Sequence, residues 1–332
     1  MSDPTLLCVC GASGLVGSHI VERALAAGYR VNGTMRDAND AGRTRYLMGL
    51  PGADERLRLF SADMSEPDSF APPLQGADGV FIACLPEIRT GRDGTPAADL
   101  DEARGRAEII QPVEKGCLGI MRIAKSQGVE TVVVCSSTGS TNPPDAPAIK
   151  SEDTAVSDAQ HQIDQKKFTP ASKTVMEASA RALANETGQR LSILLPTLML
   201  GPVILPEHME RGFNKSLLQM AKGNRALHDQ VPAGSISIAH IDDVAALFLA
   251  AYEHPEASGR YFALYDSWPW RDIYDALAPH IPDSAKPASL EGEPEPSTRF
   301  DFTRRDTLGV EMRDIATTLQ QTMRWINAQY TT

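Results

Sequence analysis

CVCGASGLVGSHIVERALAAGYRV, residues 8–31, indicates the fold class of this chain. An apolar run leads into three glycines in G-x-x-G-x-x-G spacing, Gly11, Gly14 and Gly17. Apolar residues then recur with helical spacing from Val16 to Ala27, which predicts a helix directly after the glycines. A strand, a glycine-rich turn and a helix in this order are typical of the first unit of a Rossmann-type sheet.

The glycine-rich turn has two interpretations. Glycines keep side chains away, so backbone N–H groups and the N-terminus of the helix can face a pyrophosphate. The alternative is a tight strand–helix turn that binds nothing. The position of the motif between a strand and a helix favours dinucleotide binding. The residues of this turn expected to contact the dinucleotide are Gly11, Ser13, Gly14, Leu15, Val16 and Gly17.

The end of the second predicted strand discriminates between NAD and NADP. An acid there binds the ribose 2′-hydroxyl of NAD, whereas an arginine suits the 2′-phosphate of NADP. Arg36 at this position favours NADP(H), and Arg43 and Arg45 in the following loop can assist it. The neighbouring Asp37 leaves NAD as an alternative cofactor. Asp63 ends the third strand, where it can accept a hydrogen bond from the adenine amino group or act as a helix N-cap.

Further along the chain, apolar runs alternate with helical segments. The remaining strands are predicted at 30–35, 57–62, 79–84, 131–137 and 191–195, with helices from about 112 to 126 and 170 to 186 and a polar loop at 138–168. This alternation predicts an α/β fold, a Rossmann-type doubly wound parallel sheet with a smaller C-terminal substrate lobe. We expect the Rossmann domain to span 1–202, with a return near 235–253, and the lobe to span most of 203–332.

Composition narrows the class of partner. The 332 residues carry a net charge of −11, which argues against nucleic acid and anionic membranes. No apolar run reaches the roughly 18 residues that span a bilayer, and the N-terminus lacks a signal-peptide pattern. The five cysteines have neither zinc spacing nor a disulfide framework, and Cys8 and Cys10 alternate as core residues. A cytoplasmic protein with no metal site is expected.

Several motifs together resemble the extended short-chain dehydrogenase/reductases of the NAD-dependent epimerase/dehydratase superfamily. Within them the chain is most similar to the dihydroflavonol reductase and cinnamoyl-CoA reductase branch. The segments that carry the resemblance are GASGLVGSHIVERALAAGYRVNGTMRD, SADMSEPDSF, GVFIACLP, VVVCSSTGS, SKTVMEASARALA, ILLPTLMLGP and ISIAHIDDVAALFLAAYEHPEASGRY. They extend from the first strand into the C-terminal half, so the resemblance implies an NADP(H)-dependent oxidoreductase.

The resemblance also implies roles for individual residues. Ser137 matches the serine that hydrogen-bonds the substrate carbonyl, and Lys173 matches the lysine that binds the nicotinamide ribose. The other positions expected to line the cofactor are Met64, Cys84, Pro196 and Thr197.

The catalytic tyrosine of the family falls on Thr169, four residues before Lys173. Phe168 has no hydroxyl, and no tyrosine occurs between Tyr46 and Tyr252, so a shifted alignment does not restore the phenol. Threonine is shorter and a much weaker acid than tyrosine, whose ordinary pKa is about 10. Thr169 is therefore either an atypical member of the catalytic set or simply a helix N-cap.

Four outcomes remain open for the chemistry. The enzyme can reduce a carbonyl with another proton donor, such as Ser137, water, Lys173 or His161. It can reduce an iminium or a conjugated alkene, which needs no strong acid at that point. It can also be a non-catalytic NADP(H)-binding sensor or scaffold, or a redox-neutral epimerase or dehydratase.

The substrate should lie between the carboxyl edge of the sheet and the second lobe. Candidate lining residues come from 85–88, 138–168 and 199–225, and many of them are apolar. A hydrophobic small molecule is expected as the substrate, and a monomer or homodimer as the assembly.

Overall fold

In the computed structural model, which describes residues 5–330, the predicted parallel sheet is present and has seven strands. The strands are β1 (Leu6–Cys10), β2 (Arg30–Met35), β3 (Leu57–Ser61), β4 (Gly79–Ile82), β5 (Thr131–Cys135), β6 (Arg190–Pro196), β7 (Leu198–Leu200), β8 (Ser235–His240), β9 (Gly259–Ala263) and β10 (Asp266–Pro269). The order in the large sheet is β3-β2-β1-β4-β5-β6-β9, and neighbouring strands all pair in parallel. The strand order reverses between β1 and β4, as in doubly wound folds, and the predicted fold class is confirmed.

The helices are α1 (Leu15–Ala26), α2 (Ala41–Met48), α3 (Ala53–Arg56), α4 (Ala71–Leu74), α5 (Glu102–Gly105), α6 (Gln111–Ser126), α7 (Ala159–Asp164), α8 (Phe168–Thr187), α9 (Gly212–Ala221), α10 (Ile241–Glu253), α11 (Trp270–Leu277), α12 (Thr303–Asp306) and α13 (Ile315–Tyr330). A π-helical turn, Arg106–Ile110, joins α5 to α6, so this helix begins about ten residues before the predicted start. None of the helices in residues 5–330 has the length and apolar character needed to cross a membrane.

Part of the predicted 138–168 loop is helical. It contains a 3₁₀ turn, Thr138–Ser140, and the helix α7. The side chain of Asp158 caps α7 by accepting a hydrogen bond from the backbone N–H of His161 at 2.8 Å. With only six residues, α7 is too short to give a clear helical pattern in the sequence.

A second, three-stranded sheet has the order β10-β8-β7. It packs with α9, α11 and α13 around a separate apolar cluster that includes Leu217, Ile273 and Leu319. The chain then returns to the large sheet through α10, which packs on α1, and through β9, which pairs with β6. The division at residues 202/203 with a return near 235–253 stays a prediction.

Cys8 and Cys10 lie in the core of the large sheet, as their alternation predicts. Both side chains are fully buried, and their sulfur atoms are 3.9 Å apart. Burial raises the pKa of the Cys10 thiol well above its usual value, which keeps it neutral.

An ion-pair network joins α1 to α10. Arg23 donates two hydrogen bonds to the carboxylate of Asp242, both at 2.9 Å, and Arg313 donates a third at 3.1 Å. His19 and Glu22 lie close enough to Asp242 to suggest a metal-ligand group. We interpret the group as structural because two guanidinium groups already occupy the Asp242 carboxylate.

Burial of His19 makes the stability of the protein depend on pH. Its ring is 4% exposed, and neither ring nitrogen has a hydrogen-bond partner within residues 5–330. Burial lowers the pKa of His19 from 6.5 to about 4. The unfolded chain therefore binds a proton more readily between these values, so stability falls as the pH drops through this window.

Replacing His19 by leucine should remove this sensitivity. Between pH 7 and pH 5, protonation of unfolded His19 costs the wild-type protein about 2 kcal/mol of unfolding free energy. Urea unfolding of His19→Leu at both pH values should show a loss smaller by about that amount. His254→Leu, at an exposed position, should retain the wild-type loss. An unchanged pH dependence in His19→Leu would exclude this role.

Candidate cofactor and active site

The turn after β1 is packed too closely for side chains. Gly11 has a φ of +92°, and a Cβ atom there would lie 2.8 Å from the backbone of Cys84. A Cβ atom on Gly17 would lie 2.0 Å from the carbonyl oxygen of Gly11. The turn is also tied to β2, because the N–H of Gly11 donates to the carbonyl oxygen of Thr34 at 3.1 Å. These contacts explain the glycines at both positions.

The first turn of α1 has backbone N–H groups that lie outside the helix ladder. Gly14 is its N-cap residue, and no side chain caps this end of the helix. The carbonyl of Gly14 accepts from Ser18 at 2.9 Å, so the helix ladder begins there and the preceding N–H groups stay outside it. A helix N-terminus beside a glycine cradle fits the pyrophosphate of a dinucleotide.

Arg36 and Asp63 lie at the carboxyl ends of β2 and β3. Arg36 is exposed directly after β2. Ser65 donates hydrogen bonds to Asp63 from its hydroxyl at 2.7 Å and from its backbone N–H at 2.8 Å. These bonds lower the pKa of Asp63, and the nearby guanidinium of Arg36 adds to the shift. The ionised carboxylate suits the predicted role as an acceptor.

The helix-cap alternative for Asp63 is wrong. The next helical segment is the 3₁₀ turn Pro67–Phe70, whose N-cap is Glu66. Asp63 instead stabilises its own turn through Ser65, a contact typical of short polar side chains in loops.

Arg43 and Arg45 both lie on α2 but contact different partners. Arg43 donates to the carboxylate of Glu207 at 2.8 Å, a contact 164 residues distant along the chain. Arg45 lies over the ring of Tyr46, 4.7 Å from its centroid, and donates to the Tyr46 hydroxyl at 2.8 Å. Arg43 thus links α2 to the segment after β7.

Ser137 lies just beyond β5 with an oriented hydroxyl. Its oxygen accepts from the backbone N–H of Gly139 at 3.1 Å and caps the 3₁₀ turn Thr138–Ser140. The α8 helix packs against this turn, with Pro170 next to Gly139. Because the Ser137 oxygen is held as an acceptor, its own proton can be donated to another group.

Sequence reasoning missed a buried pair beside this serine. Ser136 donates a short hydrogen bond to Glu177, whose other oxygen lies 2.9 Å from the Arg260 guanidinium. Both charged side chains are at most 4% exposed. Burial raises the pKa of Glu177, and Arg260 opposes the shift. The fixed Ser136 side chain anchors the backbone next to Ser137.

Arg260 also holds the segment 138–168 against β9. It donates to the carbonyl oxygens of Glu152 at 2.7 Å, Ala155 at 3.0 Å and Ser140 at 3.1 Å. One feature of the sequence could have indicated this role of Arg260: it is the only charged residue in the strand segment GRYFA. A buried arginine there needs several hydrogen-bond acceptors.

Lys173 is 7% exposed and approaches the segment that follows β4. Its ammonium donates to the carbonyl oxygens of Leu85 at 3.2 Å and Pro86 at 3.5 Å. Burial lowers the pKa of Lys173, and the surrounding thiols, with Cys135 first, partly oppose the shift. A lysine with a lowered pKa releases its proton more readily than an exposed one.

The Thr169 hydroxyl is already bonded. It donates to the carbonyl oxygen of Ile88 at 2.5 Å. Thr169 is the second residue of α8, and Lys167 is the N-cap, so the helix-cap interpretation of Thr169 is wrong. Thr169 and Lys173 therefore both bind the backbone of residues 85–88.

The remaining predicted positions contact residues from other parts of the fold or of their own helix. The Thr197 hydroxyl donates to the carbonyl oxygen of Ser237 at 3.2 Å, just after Pro196, which is the last residue of β6. Met64 packs next to Gly116 on α6. His161 lies on α7, with its Nε2 atom 2.7 Å from the side-chain nitrogen of Gln165.

The fold and this arrangement agree with the family assignment. Residues 7–263 match the NAD dependent epimerase/dehydratase family. The chain therefore belongs to that family, as the motifs predict.

Named relatives and similar solved structures include several reductases. The chain is 35% identical over 261 residues to dihydroflavonol 4-reductase from Hordeum vulgare, covering 76% of this chain and 68% of the relative. Among solved structures, vestitone reductase from alfalfa superposes with a TM-score of 0.73 at 23% identity, covering 98% of each chain. Yeast methylglyoxal/isovaleraldehyde reductase complexed with NADPH gives a TM-score of 0.78 at 19% identity, also covering 98% of each chain.

Proposed function

We propose that this protein is an NADP(H)-dependent reductase of a hydrophobic small molecule that carries a C=O, C=N or conjugated C=C group. The similarity to dihydroflavonol 4-reductase supports the reaction class. The observation that carries the proposal is that Lys173 and Ser137 keep oriented polar groups beside the sheet edge, while the Thr169 hydroxyl is bonded to Ile88.

The chain's own residues fit the cofactor. The pyrophosphate would lie against the glycine cradle and the uncapped start of α1, with Arg36 at the 2′-phosphate and Asp63 at the adenine. The reduced nicotinamide supplies a hydride when it is bound. Lys173 would hold the nicotinamide ribose once its ammonium moves from the Leu85 and Pro86 carbonyls.

In this proposal, groups other than Thr169 deliver the proton to the substrate. Ser137 donates a hydrogen bond to the substrate atom that gains negative charge, because its oxygen is already held by Gly139. A serine hydroxyl orients and stabilises that atom but is a weak acid. Lys173, with its pKa lowered by burial, is the stronger acid and supplies the proton directly or through a water molecule.

A deuterium-transfer assay on wild type and Thr169→Val tests this proposal. NADPH deuterated at the transferred C4 position is incubated with a hydrophobic ketone, a cyclic imine and a conjugated enone, and products are analysed by mass spectrometry. We expect deuterium in at least one product class. Thr169→Val should lower kcat/KM less than about tenfold, because it removes one neutral hydrogen bond to Ile88.

The controls separate the alternatives. Thr187→Val removes a similar hydroxyl–carbonyl bond near the far end of α8 and should leave turnover unchanged. A loss of 10³-fold or more in Thr169→Val would place Thr169 in proton transfer. Tight NADPH binding without deuterium in any product would contradict the reductase proposal and favour a sensor.

A further inference from the structure

A short segment after β7 touches both predicted phosphate-binding regions. This segment, the 3₁₀ turn Pro206–Glu210, is called the strap below. Glu207 binds Arg43, which follows β2, and His208 binds the backbone of Ser13 in the glycine-rich turn. The strap thus connects the C-terminal half of the chain to α2 and to the glycine-rich turn.

The first contact is a partly buried ion pair. The Nε atom of Arg43 donates to the Glu207 carboxylate at 2.8 Å, and the two side chains are 29% and 26% exposed. Asp40 lies farther from the same guanidinium, at 3.7 Å, and Arg211 lies 3.9 Å from Glu207. Glu207 is therefore the nearest of these acidic partners to Arg43.

An open space adjoins this ion pair. Its volume is about 170 Å³, and its lining includes Arg43, Arg45, Tyr46, Leu205, Glu207 and Glu210. Glu210 is an exposed acid on the same side of the space, and it serves as a natural control for Glu207.

The second contact fixes the strap to the glycine-rich turn. His208 is 8% exposed, and its Nε2–H group donates to the carbonyl oxygen of Ser13 at 3.2 Å. Burial lowers the pKa of His208, which favours the neutral ring that this bond uses. Because His208 holds the strap in place, the neighbouring Glu207 carboxylate stays directed at Arg43.

We propose that Glu207 tunes cofactor specificity by competing with the 2′-phosphate of NADP(H) for Arg43, which would bind that phosphate together with Arg36. This inference rests on the proposed NADP(H) binding. An arginine that pairs with a bound carboxylate must exchange that partner before it can contact a phosphate. The phosphate carries more negative charge than the carboxylate, so exchange of Glu207 for the phosphate is favourable. The loss of the Glu207 ion pair nevertheless reduces the net free energy gained when the phosphate binds.

The exchange also has a consequence for the strap. When Arg43 turns to the phosphate, the strap loses its ion pair, while the hydrogen bond from His208 to Ser13 remains. Glu207 therefore weakens binding of the 2′-phosphate and speeds its release, while leaving the rest of the dinucleotide unaffected.

Binding of two fragments tests the inference by calorimetry. Adenosine 2′,5′-bisphosphate carries the 2′-phosphate, and adenosine 5′-monophosphate lacks it. Glu207→Gln should bind the bisphosphate about 3- to 10-fold more tightly than wild type, the range expected for a partly exposed ion pair. It should bind the monophosphate with unchanged affinity. Glu210→Gln, which removes the same charge beside the same space, should match wild type for both fragments.

A double-mutant cycle assigns the effect to Arg43. In an Arg43→Gln background, Glu207→Gln should no longer change the affinity for the bisphosphate, because the competing pair is gone. Glu207→Ala provides a second variant if Glu207→Gln fails to fold, as judged by circular dichroism.

The outcomes are distinguishable. Equal affinity of wild type and Glu207→Gln for the bisphosphate overturns the inference and leaves the proposed function standing. An equal gain in affinity for the bisphosphate in Glu207→Gln and Glu210→Gln also overturns the inference. The loss of one negative charge near the site would then explain the gain without competition for Arg43. Failure of the wild type to bind either fragment contradicts the proposed function itself.

Discussion

Substitution of Lys173 by methionine is expected to lower kcat/KM for the reduction by at least about 10³-fold. Methionine keeps much of the length of the side chain but removes its charge and its donors. Loss of the ammonium removes the contact expected with the nicotinamide ribose and the proposed proton source. The affinity for NADPH, measured by fluorescence titration, should also fall by about tenfold, the scale of a lost charged hydrogen bond.

The pH profile separates an acid role for Lys173 from a positioning role. Burial lowers the pKa of Lys173, so the fraction of protonated ammonium falls at a lower pH than for an exposed lysine. If Lys173 supplies the proton, wild-type kcat decreases as the pH rises through this lowered pKa. The residual activity of Lys173→Met should lack this decrease.

A surface lysine provides the control for Lys173. Lys125 lies near the end of α6 and pairs with Glu130 at 2.7 Å. Lys125→Met removes the same charge by the same substitution and should leave turnover, NADPH affinity and the pH profile unchanged. Normal turnover and cofactor affinity in Lys173→Met would remove Lys173 from the site.

Local patterns were sufficient to predict six of the seven strands of the large sheet and the glycine-rich turn after β1. The glycine spacing at 11–17, the apolar runs of β4 and β5, and the alternation of strands with helices are features of neighbouring residues. Their physical causes act over a few residues, such as close backbone packing at Gly17. A pattern within one segment can therefore indicate them.

The contacts that define the rest of the site join residues far apart in the chain. Thr169 binds Ile88 across 81 positions, and Arg43 binds Glu207 across 164. The sequence contains the arginine, the glutamate and the hydroxyl, but many charged residues compete as partners. Only the packing of the 85–88 segment on α8, and of the strap on α2, selects these pairs.

The buried pair of Glu177 and Arg260 illustrates the same point. Two isolated charges, one on a helix and one on a strand, resemble ordinary surface residues in the sequence. Burial of either charge alone would be strongly unfavourable, so each requires the other. That requirement becomes visible only when β9 lies beside β6 and carries Arg260 toward α8.

We expect cofactor choice to depend on Arg36, at the end of β2. Its exposed guanidinium lies near the ionised Asp63, and its neighbour Asp37 is engaged with the backbone N–H of Asn39 at 2.9 Å. Asp37 is thus partly occupied within its own loop, whereas Arg36 would contact the 2′-phosphate in the proposed complex. We therefore expect NADPH to bind more tightly than NADH.

Arg36→Glu is expected to reverse this preference. The carboxylate repels the 2′-phosphate and offers an acceptor to the ribose 2′-hydroxyl of NADH, so the NADPH/NADH affinity ratio should change by at least about 10²-fold. Fluorescence titration of both cofactors measures the ratio. Arg58→Glu, an equal charge change at an exposed position on β3, should leave it near the wild-type value. If wild type binds both cofactors equally and Arg36→Glu behaves the same, Arg36 does not select the phosphate, and the preference for NADP(H) loses its main support.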